Sequence, residues 1–192
     1  MKLFNVTLAS TLLLLAFNAQ VHADQHVLVL TDHGKNTLSK WLGSPIVVDK
    51  VKAQNSRTKD MSEAEIIVLD KQWRAEVDAS NQPLIEEVMK RSLSTYLKQI
   101  KDKSKGLYTE IFVMDARGIN VGQSDVTSDY WQGDEAKWQE TYLRGADAIH
   151  VGDVDLDESS QQFQSQLSMS VVDPVSGTVI GAITVGVNLD EL

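Results

Sequence analysis

The apolar residues change their period once, at Gly106, and that change constrains the fold more than any other feature of the chain. Before it, they recur at helical spacing. Leu38, Trp41 and Leu42 open the pattern, and Val47, Val48, Val51 and Asn55 continue it after Pro45, a residue suited to the first turn of a helix. Ser62-Glu63-Ala64-Glu65 has the spacing of a capping box, so a second helix is predicted there, with Ile66, Leu69, Trp73 and Val77 on its apolar face. Pro83 opens a third helix with Ile85, Val88, Met89, Tyr96 and Ile100 on one face, and Gly106 is its stop. Val27–Leu30 reads as a short strand or extended arm, and Asp32–Asn36 as a turn.

After Gly106 the period is two. Ile111 and Val113 mark a strand, Asp115-Ala116-Arg117-Gly118 a turn, and Ile119, Val121 and Gln123 a second strand. Asp134–Leu143 reads as a short helix, with Trp138 and Tyr142 one turn apart. Leu167, Met169 and Val171 then alternate with Gln166, Ser168 and Ser170. Asp173-Pro174-Val175-Ser176-Gly177 is a hairpin turn, and Val179, Gly181, Ile183, Val185 and Val187 lie along a long final strand. No repeat or linker splits the chain. The fold class is α+β: helices first, then an antiparallel sheet.

Residues 1–23 read as a secretory signal. Lys2 gives the positive start, Leu8–Phe17 the apolar core, and Val21-His22-Ala23 the cleavage site. The apolar stretch is about half of the ~20 residues that a membrane-spanning helix needs. A single domain over 24–192, periplasmic or secreted, is the expected product. The chain has no cysteine, so disulfides, thiolate metal sites and a cysteine nucleophile are excluded. A formal charge of −9 argues against nucleic acid as a partner, because the phosphate backbone would repel it.

Catalysis finds no support in the motifs. No G-x-S-x-G occurs, and His26, His33 and His150 have no nucleophile beside them in sequence. Asp153-Val154-Asp155-Leu156-Asp157-Glu158 resembles the opening of a calcium loop. Yet Glu158 stands where that loop needs Gly, and Gln164 where it needs a bidentate Glu, so these acids read as solvated loop residues. His33 and His150 lack the spacing of a zinc site. No metal or cofactor is expected.

Three stretches resemble the Cache or PDC-type (PAS-like) extracytoplasmic sensor domains of bacteria. The first is Val51-Lys52-Ala53-Gln54-Asn55 with residues 65–74 (EIIVLDKQWR). The second is residues 111–118 (IFVMDARG) with Asp129-Tyr130-Trp131-Gln132-Gly133-Asp134-Glu135. The third is the closing pair of strands over 167–192. The resemblance implies N-terminal helices packed on a central antiparallel sheet of about five strands. It also implies a small-molecule pocket on the sheet's other side, under the loop and short helix between strands two and three. In receptors such a domain sits between two membrane spans. Here a cleavable signal replaces the first, and the chain stops at Leu192 where the second would begin. The expected role is therefore ligand binding without an output module of its own, reported to a membrane histidine kinase, cyclase or chemoreceptor. A scaffold of the same fold with a filled pocket is the alternative.

Candidate ligand contacts follow. Asp129, Tyr130 and Trp131 combine aromatic surface with a carboxylate, which suits stacking on a ligand and fixing its polar end, or else a core plug. Gln123 and Ser124 close the second strand, and Ser168 and Ser170 form the polar face of a later one. Asn188 stands where amino-acid-binding members of the family often carry an aspartate. An amide offers no charge to an ammonium there, which puts an α-amino acid ligand in doubt. The stripe through Val47, Val48 and Val51 suits either packing on the sheet or a homodimer.

Overall fold

A computed structural model of the protein describes residues 26–157 and 162–192. Residues 1–23, where an export signal is expected, and Glu158 lie outside the described residues.

Helix α1 spans 26–42 and contains a π-helical turn at Gly34–Leu38. This corrects the strand or arm expected at Val27–Leu30 and the turn expected at Asp32–Asn36. The reason lies in spacing. Leu30, Gly34, Leu38 and Leu42 are buried at every fourth position. An α-helix of 3.6 residues per turn would rotate these away from one another, and the wider π turn offsets the drift. Gly34 belongs to that buried line because a side chain there would come within 3.0 Å of Met169 Sδ.

Helix α2 is Pro45–Thr58, with Pro45 in its first turn as expected. Helix α3 is Glu63–Val77, opened by the predicted capping box: Ser62 N donates to Glu65 Oε2 (2.8 Å) and Glu65 N to Ser62 Oγ (3.3 Å). Its buried face is Ile66, Asp70, Trp73 and Glu76, and Val77 is exposed. The predicted third helix is two, α4 (Pro83–Met89) and α5 (Ser92–Lys103). Arg91 is extended between them, which lets its guanidinium donate to Gln54 Oε1 and Val121 O, both at 3.1 Å. Among the described residues no helix is long and apolar enough to cross a membrane.

Five antiparallel strands follow: β1 (Tyr108–Asp115), β2 (Asn120–Gln123), β3 (Ile149–Asp157), β4 (Gln162–Val172) and β5 (Val179–Asn188). Their order in the sheet is β2-β1-β5-β4-β3. A short helix, α6 (Ala136–Gln139), lies between β2 and β3. It occupies only the middle of the predicted Asp134–Leu143 segment. Gly118 turns β1 into β2 with φ +77°, and a side chain there would strike the backbone of Gly133. Helices first, five antiparallel strands next, and a loop with a short helix between the second and third strands: this is the architecture that the resemblance implied.

One face of the sheet is apolar. Ile111, Val113, Leu167, Val171, Ile183, Val185 and Val187 pack beneath Leu38, Val47, Val51, Leu93 and Leu97 of the helices. A second cluster joins α3 and α4 to the loop after β2, through Ile66, Trp73, Leu84, Ile85, Val88, Ile119 and Tyr130. The remaining face of the sheet carries the candidate site.

Candidate functional site

Strand register determines what this second face presents. Gln123, Phe112, Thr184, Ser168 and His150 stand side by side across all five strands. The next row holds Glu110, Gly186 and Gln166, and the one beyond it Asn188, Gln164 and Asp155.

The face is closed over one half and open over the other. Over β1 and β5, Phe112, Met114 and Ala182 pack under Trp138 and Tyr142, whose rings stack at 4.9 Å and 20°. Trp138 Nε1 donates to Asp115 O (3.1 Å), fixing α6 to the end of β1. Over β3 and β4 the same helix leaves a cavity of about 520 Å³. Its walls are Glu135, the residue just before α6, Lys137 from α6, His150, Asp153 and Asp155 from β3, and Gln164 and Gln166 from β4.

A β-bulge builds the acidic wall. The register of β3 on β4 slips by one residue between Val151 and Val154. Before the bulge, Val151 lies on the helix side opposite Leu167; after it, Asp155 lies opposite Gln164, on the cavity side. Without that extra residue, strict alternation would put Val154 and Leu156 toward the cavity and the aspartates behind them.

Charge and hydrogen bonding in the cavity are unevenly matched. Lys137 Nζ sits 2.8 Å from Glu135 Oε2 and 5.6 Å above the Phe112 ring, so its charge is already paired. Gln166 Nε2 donates to Glu110 Oε1 (2.8 Å). Burial pushes the Glu110 carboxyl above the usual carboxylate range, against that hydrogen bond and the pull of Lys137. Gln164 Oε1 is sealed from solvent and has no partner, and so is Nδ2 of Asn188, its cross-strand neighbour. Unpaired buried amides are uncommon in native interiors, and these two, a carbonyl oxygen and an NH₂ on paired residues, are complementary in kind.

The structure divides the sequence-predicted site residues into two groups. Gln123, Ser168, Ser170 and Asn188 are buried on the sheet's second face. Ser168 and Thr184 share a hydroxyl contact of 2.9 Å at its centre, and Ser170 Oγ donates to Gly145 O (2.6 Å), tying down the loop's end. Gln123 Oε1 accepts from Asn120 Nδ2 (3.0 Å), while its Nε2 is unpartnered. Ser124 Oγ accepts from Ile111 N (2.8 Å) and donates to Asp125 Oδ2 (2.6 Å) at the end of β2.

Asp129, Tyr130 and Trp131 lie elsewhere, where the loop meets α3. Tyr130 stacks on Trp73 at 5.2 Å and 13°. Asp70 Oδ1 accepts from the N–H groups of Tyr130 (2.9 Å) and Trp131 (3.0 Å), and Arg74 bridges Asp70 and Asp129, each at 2.7 Å. Trp131 Nε1 donates to Arg117 O (2.8 Å). Burial raises the Tyr130 phenol above its ordinary pKa, against the nearby Arg91 guanidinium. These contacts hold the loop that carries α6, one step removed from the cavity.

Sequence reading missed the cavity's own walls: Glu135, Lys137, His150, Asp153, Asp155, Gln164 and Gln166. The signal that could have found them is the run Asp153-Val154-Asp155-Leu156-Asp157, which alternates as a half-buried strand does.

No family model and no curated protein matches the chain. Among solved structures it is similar to the sensor domain of the V. cholerae histidine kinase DctB, at 16% identity over 96% of this chain and 59% of that one, with a TM-score of 0.47. It is similar also to the sensory domain of the Campylobacter jejuni chemoreceptor Tlp3, at 17% identity over 84% of this chain and 64% of that one, with a TM-score of 0.40. A third is the ligand-binding domain of the Pseudomonas aeruginosa PAO1 amino acid chemoreceptor PctC in complex with GABA, at 11% identity over 74% and 58%, with a TM-score of 0.36. The chain spans less than two thirds of the length of each of these structures.

Proposed function

We propose that the protein is an extracytoplasmic sensory domain of the Cache/PDC kind that binds a small molecule between α6 and strands β3 and β4. It is exported by a cleaved signal and acts without chemistry of its own. One observation carries the reading: a polar cavity of about 520 Å³ left open between α6 and strands β3 and β4, lined by Lys137, His150, Asp155, Gln164 and Gln166. That volume lies within the range of small-molecule sites, about 300–1,000 Å³.

The bound molecule shifts the population toward a closed position of the loop that carries α6. Strand β4 links that position to the helices. Its Ser168 faces the loop, while Leu167 and Met169 meet α1 at Gly34, inside the π turn. The altered helical surface is what a membrane histidine kinase, cyclase or chemoreceptor would read.

A scaffold role is the second reading, and it too has an observation in its favour: Phe112, Met114, Trp138 and Tyr142 fill the half of the face over β1 and β5. A thermal-shift screen of small carboxylates, amines, alcohols and polyols separates the two. Ligand at about 100 times its Kd adds about 2.7 kcal/mol of stability. For a chain of this size the expected rise in melting midpoint is roughly 5–10 °C. A flat response across the whole panel favours the scaffold.

A further inference from the structure

We propose that the outer face of α3 pairs with the same face of a second copy of this chain, the two helices running antiparallel about Val68. The inner face of α3 is committed: Ile66, Asp70, Trp73 and Glu76 are buried, and Asp70 and Trp73 hold Tyr130 in the loop that carries α6. On the opposite side Ala64, Glu65, Val68, Lys71, Gln72 and Ala75 are exposed, at steps of three and four residues. Met61, Ala64, Val68 and Leu69 line an apolar hollow of about 400 Å³ on that side. Val68, at its centre, is 63% exposed. The stripe through Val47, Val48 and Val51 offers no such surface, because all three are buried in the main core.

The charges on this face select the partner and its direction. A two-fold axis at Val68 sets each residue beside the one equally far along the partner's helix in the other direction. Val68 then meets the partner's Val68, Ala64 the partner's Gln72, and Met61 the partner's Ala75. Glu65 meets the partner's Lys71, and the symmetry makes that pair twice. A parallel arrangement would set Glu65 on glutamate and Lys71 on lysine, so the pattern favours the antiparallel one. Both groups can take part. Lys71 makes no ion pair among the described residues. Glu65 uses only Oε2 in the capping box, where it accepts from Ser62 N and Oγ. Helix α3 has 15 residues and is roughly 22 Å long. A seam of that length buries less than the ~1,200 Å² of a standard interface, so the dimer is weak and concentration-dependent.

Sedimentation equilibrium of the exported protein tests this. The expected result is a monomer–dimer equilibrium between about 10 μM and 1 mM. Val68→Glu should weaken association at least about tenfold and keep its melting midpoint, because the side chain is exposed. Lys71→Glu and Glu65→Lys, each alone, should do the same by setting like charges together. An equimolar mixture of these two variants should recover dimer, since both cross-pairs are then Glu on Lys. Glu65→Lys also gives up the bond to Ser62 N, so a second measurement avoids it. The chain has no cysteine. Packed helices 8–10 Å apart bring facing Cα atoms to roughly 4–6 Å, within disulfide reach. Val68→Cys should therefore cross-link under mild oxidation at least about tenfold faster than Val175→Cys, which is 92% exposed on a hairpin turn. A wild-type chain that stays monomeric to about 1 mM would overturn the proposal and leave the patch to a different occupant. So would a dimer indifferent to Val68→Glu, a mixture that fails to re-associate while both variants are folded, or equal cross-linking rates at 68 and 175.

Discussion

Replacing Asp115 by alanine should lower stability by about 3–5 kcal/mol, the range in which removal of a buried charged hub falls. Asp115 is completely buried at the end of β1. Its Oδ2 accepts from Gln54 Nε2 (3.1 Å) and Thr58 Oγ1 (2.8 Å) of α2. Its Oδ1 accepts from the N–H groups of Arg117 (2.8 Å) and Ile119 (3.0 Å) in the turn to β2. One carboxylate therefore satisfies four donors from two elements, and alanine strands several of them away from water. The melting midpoint should fall by roughly 8–15 °C. Asp115→Asn keeps the shape, but its NH₂ presents donors to donors, so it should rescue only part of the loss. A shift under about 2 °C in Asp115→Ala would show that α2 and the turn are held by packing alone.

Trp73→Ala should cost about as much, 3–5 kcal/mol, by leaving a cavity that its neighbours only partly fill. The indole is completely buried, stacks on Tyr130, and donates from Nε1 to Thr127 O (2.8 Å). It lies between α3 and the loop that carries α6. Its loss should therefore raise amide hydrogen exchange over 127–142 more than over β4 and β5, which share none of its contacts. Uniform exchange across the chain would mean that the loop and the sheet open as a single unit.

The helical first half and the sheet could be read from the sequence because they rest on local rules. Pro45 and the Ser62–Glu65 box act within one turn, and the alternation of Val179–Val187 needs only a strand with one apolar face. The errors come where long-range packing overrides a local signal. Asp32–Asn36 has turn composition, yet Gly34 is helical and buried, packed closely against Met169 of β4. Lys90 and Arg91 look like helix interior, yet the chain opens there so that Arg91 can reach β2. The site was harder still. Tyr130 and Trp131 carry the right chemistry for a ligand, but nothing local reveals that Asp70 and Trp73 draw them toward α3. The acids of β3 read as a loop because a bulge conceals which side of the sheet they face.

The central claim is that a small molecule enters the space between α6 and strands β3 and β4. Amide chemical-shift mapping of ¹⁵N-labelled protein tests it most directly, using any compound that raises the melting midpoint. The account expects saturable shifts concentrated at 135–139, 149–155 and 164–168, fitting one dissociation constant. Shifts centred instead on the exposed apolar patch of Met61, Ala64 and Val68 at the start of α3, with the β3 and β4 amides unmoved, would contradict it.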